Sequence, residues 1–148
     1  MARTSLYRYF PMKTSILNRW FETAMTPLID ASSLIATSSA SRDERLREWV
    51  DLQLDFLDVD HNHAMITATR EADDMSDEVR ARIAERHRDL YTTLHLIVAT
   101  RDIDTPEIEG TTHVRVLLIA GLLRGVGEFQ EQGVAPAIVR REVSARPR

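Results

Sequence analysis

The sequence predicts an all-α fold, and three observations on its 148 residues carry that prediction. No stretch alternates apolar and polar residues strictly enough for a half-buried strand. Apolar residues instead recur at three- and four-residue spacing. Runs of this kind follow helix-start signatures: Ser41-x-x-Glu44, Ser76-Asp77-Glu78 and Thr105-Pro106-Glu107.

The first helix is expected from about Pro11 toward Ile35. The fixed φ of Pro11 suits a first turn, and Ile16, Leu17, Trp20, Phe21 and Met25 recur at helical spacing, with Pro27 a point of bending. Residues 37–41, Thr-Ser-Ser-Ala-Ser, read as a break. Ser41 and Glu44 then form a capping box ahead of Leu46, Trp49, Val50, Gln53, Leu54 and Leu57 on one broad face. Asp58 to Asn62 interrupts this helix, and Ala64 to Ala72 is expected to form a short one. Ser76 caps the next, whose stripe of Val79, Ile83, His87, Leu90, Leu94 and Ile97 reaches about Ala99. Thr105-Pro106-Glu107 opens a helix that extends to Gln132, where Gly133 and Pro136 stop it, and Ala135 to Val143 forms a short last helix.

Hydrophobic residues make up 43% and charged residues 28%, a balance that specifies an ordered chain with one core. There is no cysteine, which excludes disulfides, thiolate metal sites and thiol nucleophiles. No run is long and apolar enough for a membrane span, since Val116 to Leu123 is broken by Arg124, so a cytoplasmic protein is expected. The net charge of −4 gives no global attraction to nucleic acid, although Arg3, Arg8, Lys13 and Arg19 make the start of the chain locally basic.

The segment Val114 to Val126 is apolar nearly all the way round, so most of its sides must be covered. Gly121 and Gly125 are four residues apart and share one side, leaving a groove for a second helix backbone. A dimer interface through Leu118, Gly121, Leu122, Gly125 and Phe129 is expected, because an isologous contact is the commonest way to cover such a face. Packing within the chain is the alternative. Gln53, His87, Tyr91, His95 and His113 are polar groups at otherwise apolar positions, and with Trp49 and Phe56 as aromatic walls they outline a ligand pocket. Each could instead be hydrogen-bonded within the core or reach the surface.

Asp58, Asp60, His61 and His63 are ordinary ligand types, but four donors this close at a helix junction cannot converge on one ion without an unusual loop. A polar turn is the better reading, and no metal or other cofactor is expected. The chain has no nucleophile elbow, phosphate-binding Gly-rich loop or HExxH, so no enzyme activity is expected.

The run Leu6-Tyr7-Arg8-Tyr9-Phe10, followed by Lys13, resembles the TetR family of bacterial transcriptional regulators. In that family the recognition helix ends in Leu-Tyr-x-Tyr/His-Phe, and a short turn leads to a Ser-Lys or Asn-Lys pair opening the next helix. An aromatic-rich first turn packed on a helical core is the other reading of these residues. This chain departs from the pattern at Met12, where a small polar residue usually caps the next helix, so the phosphate-facing role of that turn is put in doubt.

The resemblance implies that residues 1–13 are the remnant of a helix-turn-helix domain and that residues 14–148 form a helical ligand-binding and dimerisation domain. It implies a homodimer joined by the last two long helices of each subunit, a small-molecule effector of largely hydrophobic character, and operator DNA as partner of the complete protein. Arg3, Thr4, Ser5 and Tyr7 would face the major groove, and Tyr9 and Lys13 the phosphates. Met1 falls where the family has the Val of a Gly-Val pair, as an internal GTG start codon would produce, and the chain by itself is expected to bind DNA weakly or not at all. A stand-alone helical ligand-binding or dimerisation module that never binds DNA is the alternative.

Overall fold

Pro27 has no N–H, and its ring would press on the carbonyl four residues back if an ordinary α-helix ran through it. The chain meets this by widening the preceding turn. The computed structural model describes residues 14–71, 75–99, 110–131 and 141, the side chains of 70, 71, 127, 129–131 excepted. Its first helix, α1, runs from residue 14 through a π-helical turn, Phe21–Met25, into the α-helical segment Thr26–Ala36. The Thr26 N–H donates to the Phe21 carbonyl, five residues back, and Pro27 lies in the first turn of the resumed α-helix. Where bending at Pro27 was expected, the helix carries this π turn.

Helix α2, Arg42–Asp58, begins at the expected capping box. The Glu44 N–H donates to Ser41 Oγ at 3.3 Å, and the Ser41 N–H donates to Glu44 Oε2 at 3.0 Å. The Ser41 hydroxyl also donates to the same carboxylate oxygen at 2.9 Å. The Ser41 backbone N–H, then its hydroxyl, hold the Glu44 carboxyl below the usual carboxylate range against a smaller effect of desolvation, and Arg47 adds Coulombic attraction. Because the folded-state pKa lies below the unfolded one, this contribution to stability is present above the unfolded pKa and is lost as pH falls through the depressed value. Ser41→Ala is expected to shift the Glu44 carboxyl titration upward, read by carbon-detected NMR. An unchanged titration would show the box to be unoccupied in solution.

Helix α3, Asp60–Glu71, follows α2 after one extended residue, Val59. It starts earlier than the expected Ala64. Asn62, read from sequence as part of the interrupting turn, is buried inside it and joins three elements: it accepts from Trp20 Nε1–H at 2.9 Å and donates through Nδ2 to the Phe56 carbonyl at 3.1 Å. Helix α4, Asp77–Val98, has Ser76 as its cap, with the Val79 N–H donating to Ser76 Oγ at 3.3 Å.

Helix α5 spans Thr111–Glu131. The helix expected to run unbroken from Thr105 does not pass Gly110, whose φ of 85° belongs to the left-handed region that glycine tolerates. The Gly110 carbonyl accepts from the Val114 N–H at 3.1 Å and so starts α5 at Thr111. Thr105-Pro106-Glu107 and the expected last helix, Ala135 to Val143, lie outside the described residues save for residue 141, which is helical. All regular structure among the described residues is helical.

The second half of α1 packs against α4 and α2, while α5 lies mainly along α4. Trp49, Leu94 and Ile97 are wholly buried at the centre, and Phe21 nearly so. Trp49 Nε1–H donates to Thr93 Oγ1 at 2.8 Å, and the Thr93 hydroxyl donates to the Leu90 carbonyl at 2.6 Å, so this inter-helix bond leaves neither polar group unsatisfied. Arg45 is buried, and its Nη1 donates to the Ala36 carbonyl at 2.9 Å, placing a cation on the C-terminus of α1.

Candidate ligand cavity and exposed helix face

A cavity of about 610 Å³ opens between α1, α2, α3, α4 and α5. The spacing of α1 supplies its floor: Trp20, Phe21, Met25 and Leu28 recur at three to four residues and present one continuous apolar wall. Phe56 of α2 stands beside Trp20, with ring centroids 6.1 Å apart. Ile66 and Thr69 of α3, Ile83, Arg86 and Leu90 of α4, and Leu123, Arg124 and Glu128 of α5 also line it.

Of the seven residues expected to form a pocket, Gln53, Phe56, His87 and Tyr91 line this cavity. Gln53 is buried, and its Nε2 donates to Ser32 Oγ at 3.2 Å, so part of its hydrogen-bonding capacity is used within the core. His87, placed by its heptad position where hydrocarbon was expected, is exposed rather than buried. It lines the cavity while remaining open to solvent, and it stacks on Tyr91 with a centroid separation of 6.4 Å.

The other three expected residues do not join the cavity. Trp49 lies in the core, its ring enclosed and its N–H held by Thr93. His95 and His113 stack on each other at 6.2 Å across the α4–α5 contact, with His113 exposed. Their imidazoles satisfy a helix–helix contact and do not converge with Gln53 or Tyr91 on a common ligand.

The lining residues missed from sequence are those of α1, read there only as a packing stripe, and the charged groups Arg86, Arg124 and Glu128. Arg86 did carry a signal, since it falls three residues after Ile83 and four before Leu90, in register with both. Its side chain is 31% exposed, and its Nε is buried without a hydrogen-bond partner.

A second feature is the outward face of α5. Val116 and Val126 are buried on one side of the helix. Val114, Leu117, Leu118 and Leu122 are each more than half exposed, up to 63% at Leu118. With Gly121 and Gly125 they form an i, i+3, i+4, i+7 stripe, an amphipathic pattern turned away from the chain's own core. A Cβ added at Gly121 or Gly125 would meet nothing within 4 Å, so no described residue of this chain uses the space these glycines leave. Among the described residues, no packing within the chain is observed at these two positions. Phe129 belongs to α5, but its side chain lies outside the described residues.

The residues expected to contact DNA, Arg3, Thr4, Ser5, Tyr7, Tyr9 and Lys13, also lie outside the described residues. Asp58, Asp60 and His61 are exposed on the α2–α3 junction, and among the described residues no group of three or more His, Asp or Glu side chains is arranged to hold a metal ion. No helix among the described residues is long and apolar enough to cross a membrane. No protein-family model, no curated protein and no solved structure matches this chain.

Proposed function

We propose that this chain is the ligand-binding and dimerisation body of a TetR-like transcriptional regulator, with residues 1–13 belonging to the DNA-binding unit. The observation that carries the reading is the Leu6-Tyr7-Arg8-Tyr9-Phe10 and Lys13 motif directly ahead of an all-helical body. Two structural features support it: a cavity of suitable size and an outward apolar stripe on the last long helix, which a second copy would cover isologously. Neither calls for catalysis, and the reading includes none.

In this mechanism α1 is the mechanical link. Its N-terminal end leads to the DNA-binding residues, and its Trp20, Phe21, Met25 and Leu28 form the cavity floor. A ligand that fills the cavity bears on α1, and one that prefers one position of α1 shifts the population of dimers between spacings that fit and do not fit successive major grooves. The π turn lies in that same wall, and such turns are frequent at functional sites.

The protein expressed from the whole open reading frame is expected to bind a two-fold symmetric site in its own upstream region at nanomolar concentration, with affinity falling steeply as salt rises. Gel-shift titration at several salt concentrations checks this. Binding that is absent, or equal on unrelated DNA, would leave the stand-alone module as the reading.

A further inference from the structure

The charged groups in the cavity wall are unevenly distributed, and their distribution selects a ligand class. Arg86, which lines the cavity, and Arg82, which is not among its lining residues, lie one turn apart on α4 and are held differently. Arg82 donates to Asn18 Oδ1 and sits over the Phe21 ring, 5.7 Å from its centroid, so its guanidinium is engaged on edge and face. Arg86 is not held in this way. Its Nη1 lies 3.8 Å from Asp89 Oδ2, too far for a hydrogen bond, and Asp89 is half exposed to water. Its Nε has no hydrogen-bond partner, so its guanidinium is less fully held than that of Arg82.

Arg124 of α5 lines the same cavity, and Glu128 is the one acid among the described lining residues. The rest of the wall is predominantly apolar, from Trp20, Phe21 and Met25 on α1 to Phe56 on α2 and Leu123 on α5. A neutral hydrocarbon would leave both guanidinium groups without an anion, and a cationic amphiphile would meet them with like charge. A ligand with an apolar body and one carboxylate matches both parts of the wall, because the terminal guanidinium nitrogens donate charge-assisted hydrogen bonds to a carboxylate.

We infer that the cavity takes an amphiphilic monocarboxylate, its head on Arg86 with Arg124 nearby and its apolar body along α1. The inference rests on the cavity being a ligand site, and not on the chain being a DNA-binding regulator.

Isothermal titration calorimetry of the full chain with decanoate, decanol and decyltrimethylammonium, each below its micelle concentration, tests it. Decanoate is expected to bind about 10–100-fold more tightly than decanol. Arg86→Met, which keeps the bulk of the stem, is expected to abolish that difference while leaving decanol affinity within twofold. Should Arg86→Met fail to fold, Arg124→Gln on the exposed side of the wall gives a smaller loss for decanoate alone. Equal affinity for decanoate and decanol, or a decanoate affinity unmoved by Arg86→Met, overturns the head-group assignment and leaves an apolar ligand site. Failure of all three compounds to bind overturns the cavity as an amphiphile site. None of these outcomes bears on DNA binding, whose test is the gel shift.

Discussion

Replacing Trp49 with alanine is expected to lower the stability of the chain by about 3–5 kcal/mol, the usual cost of removing a wholly buried indole. Trp49 is 0% exposed at the point where α2 meets α4, and its N–H donates to Thr93 Oγ1. Loss of the ring opens a cavity that the surrounding helices close only in part. The hydrogen-bond share of the effect is small, because Thr93 keeps its bond to the Leu90 carbonyl when the indole is gone. Trp49→Phe, which retains an aromatic body and loses the N–H, should therefore cost much less than Trp49→Ala. Urea denaturation followed by circular dichroism separates the two. Since a domain of this size is stable by only about 5–15 kcal/mol, the alanine variant gives up a large fraction of the total. An unchanged midpoint for Trp49→Ala would place Trp49 outside the core.

The second large effect concerns the outward face of α5. Leu118→Glu combined with Leu122→Glu is expected to turn a dimer into a monomer, weakening association by at least about 100-fold, because each charge would be buried opposite its own copy without a partner. Both leucines are more than half exposed in the single chain, so the same changes should leave its helix content and monomer stability almost untouched. Sedimentation equilibrium with circular dichroism reads the two quantities separately.

The glycines sharpen the test through a reversal of sign. In the chain alone, alanine at Gly121 meets no atom within 4 Å and removes a helix-disfavouring residue, which stabilises the monomer by about 1 kcal/mol. If a second helix backbone approaches there, the added methyl separates the copies and weakens the dimer. A wild-type chain that sediments as a monomer at tens of micromolar would refute the second-copy assignment.

The parts of this fold that were legible in the sequence are those set by interactions within one turn. Ser41 with Glu44, and Ser76 ahead of Val79, close hydrogen bonds three residues long, so residue type and spacing suffice to place them. The α5 stripe was legible for a similar reason, as its meaning depends on one helix's own periodicity. What escaped depends on distant partners. Asn62 is a turn-forming residue by type, and Trp20, 42 residues away, makes it a buried pin. Trp49 was assigned to a ligand wall because aromatic rings suit both walls and cores, and Thr93 on another helix decides between them. The spacing of α4 brings His87 to the cavity wall as expected, but it could not show that the ring stays exposed, because that depends on what the neighbouring helices cover.

The π turn in α1 has a consequence for how the lineage of this chain can vary. Phe21–Met25 holds a single residue in excess of an α-helical count, so the azimuth of residues 14–20 about the helix axis is set by one codon. Deletion of one residue there would return the segment to α-helical phase and rotate residues 14–20 by about 100° relative to Thr26–Ala36. Single-residue insertions and deletions in this stretch would thus re-aim residues 14–20, while substitutions would mostly leave their direction intact.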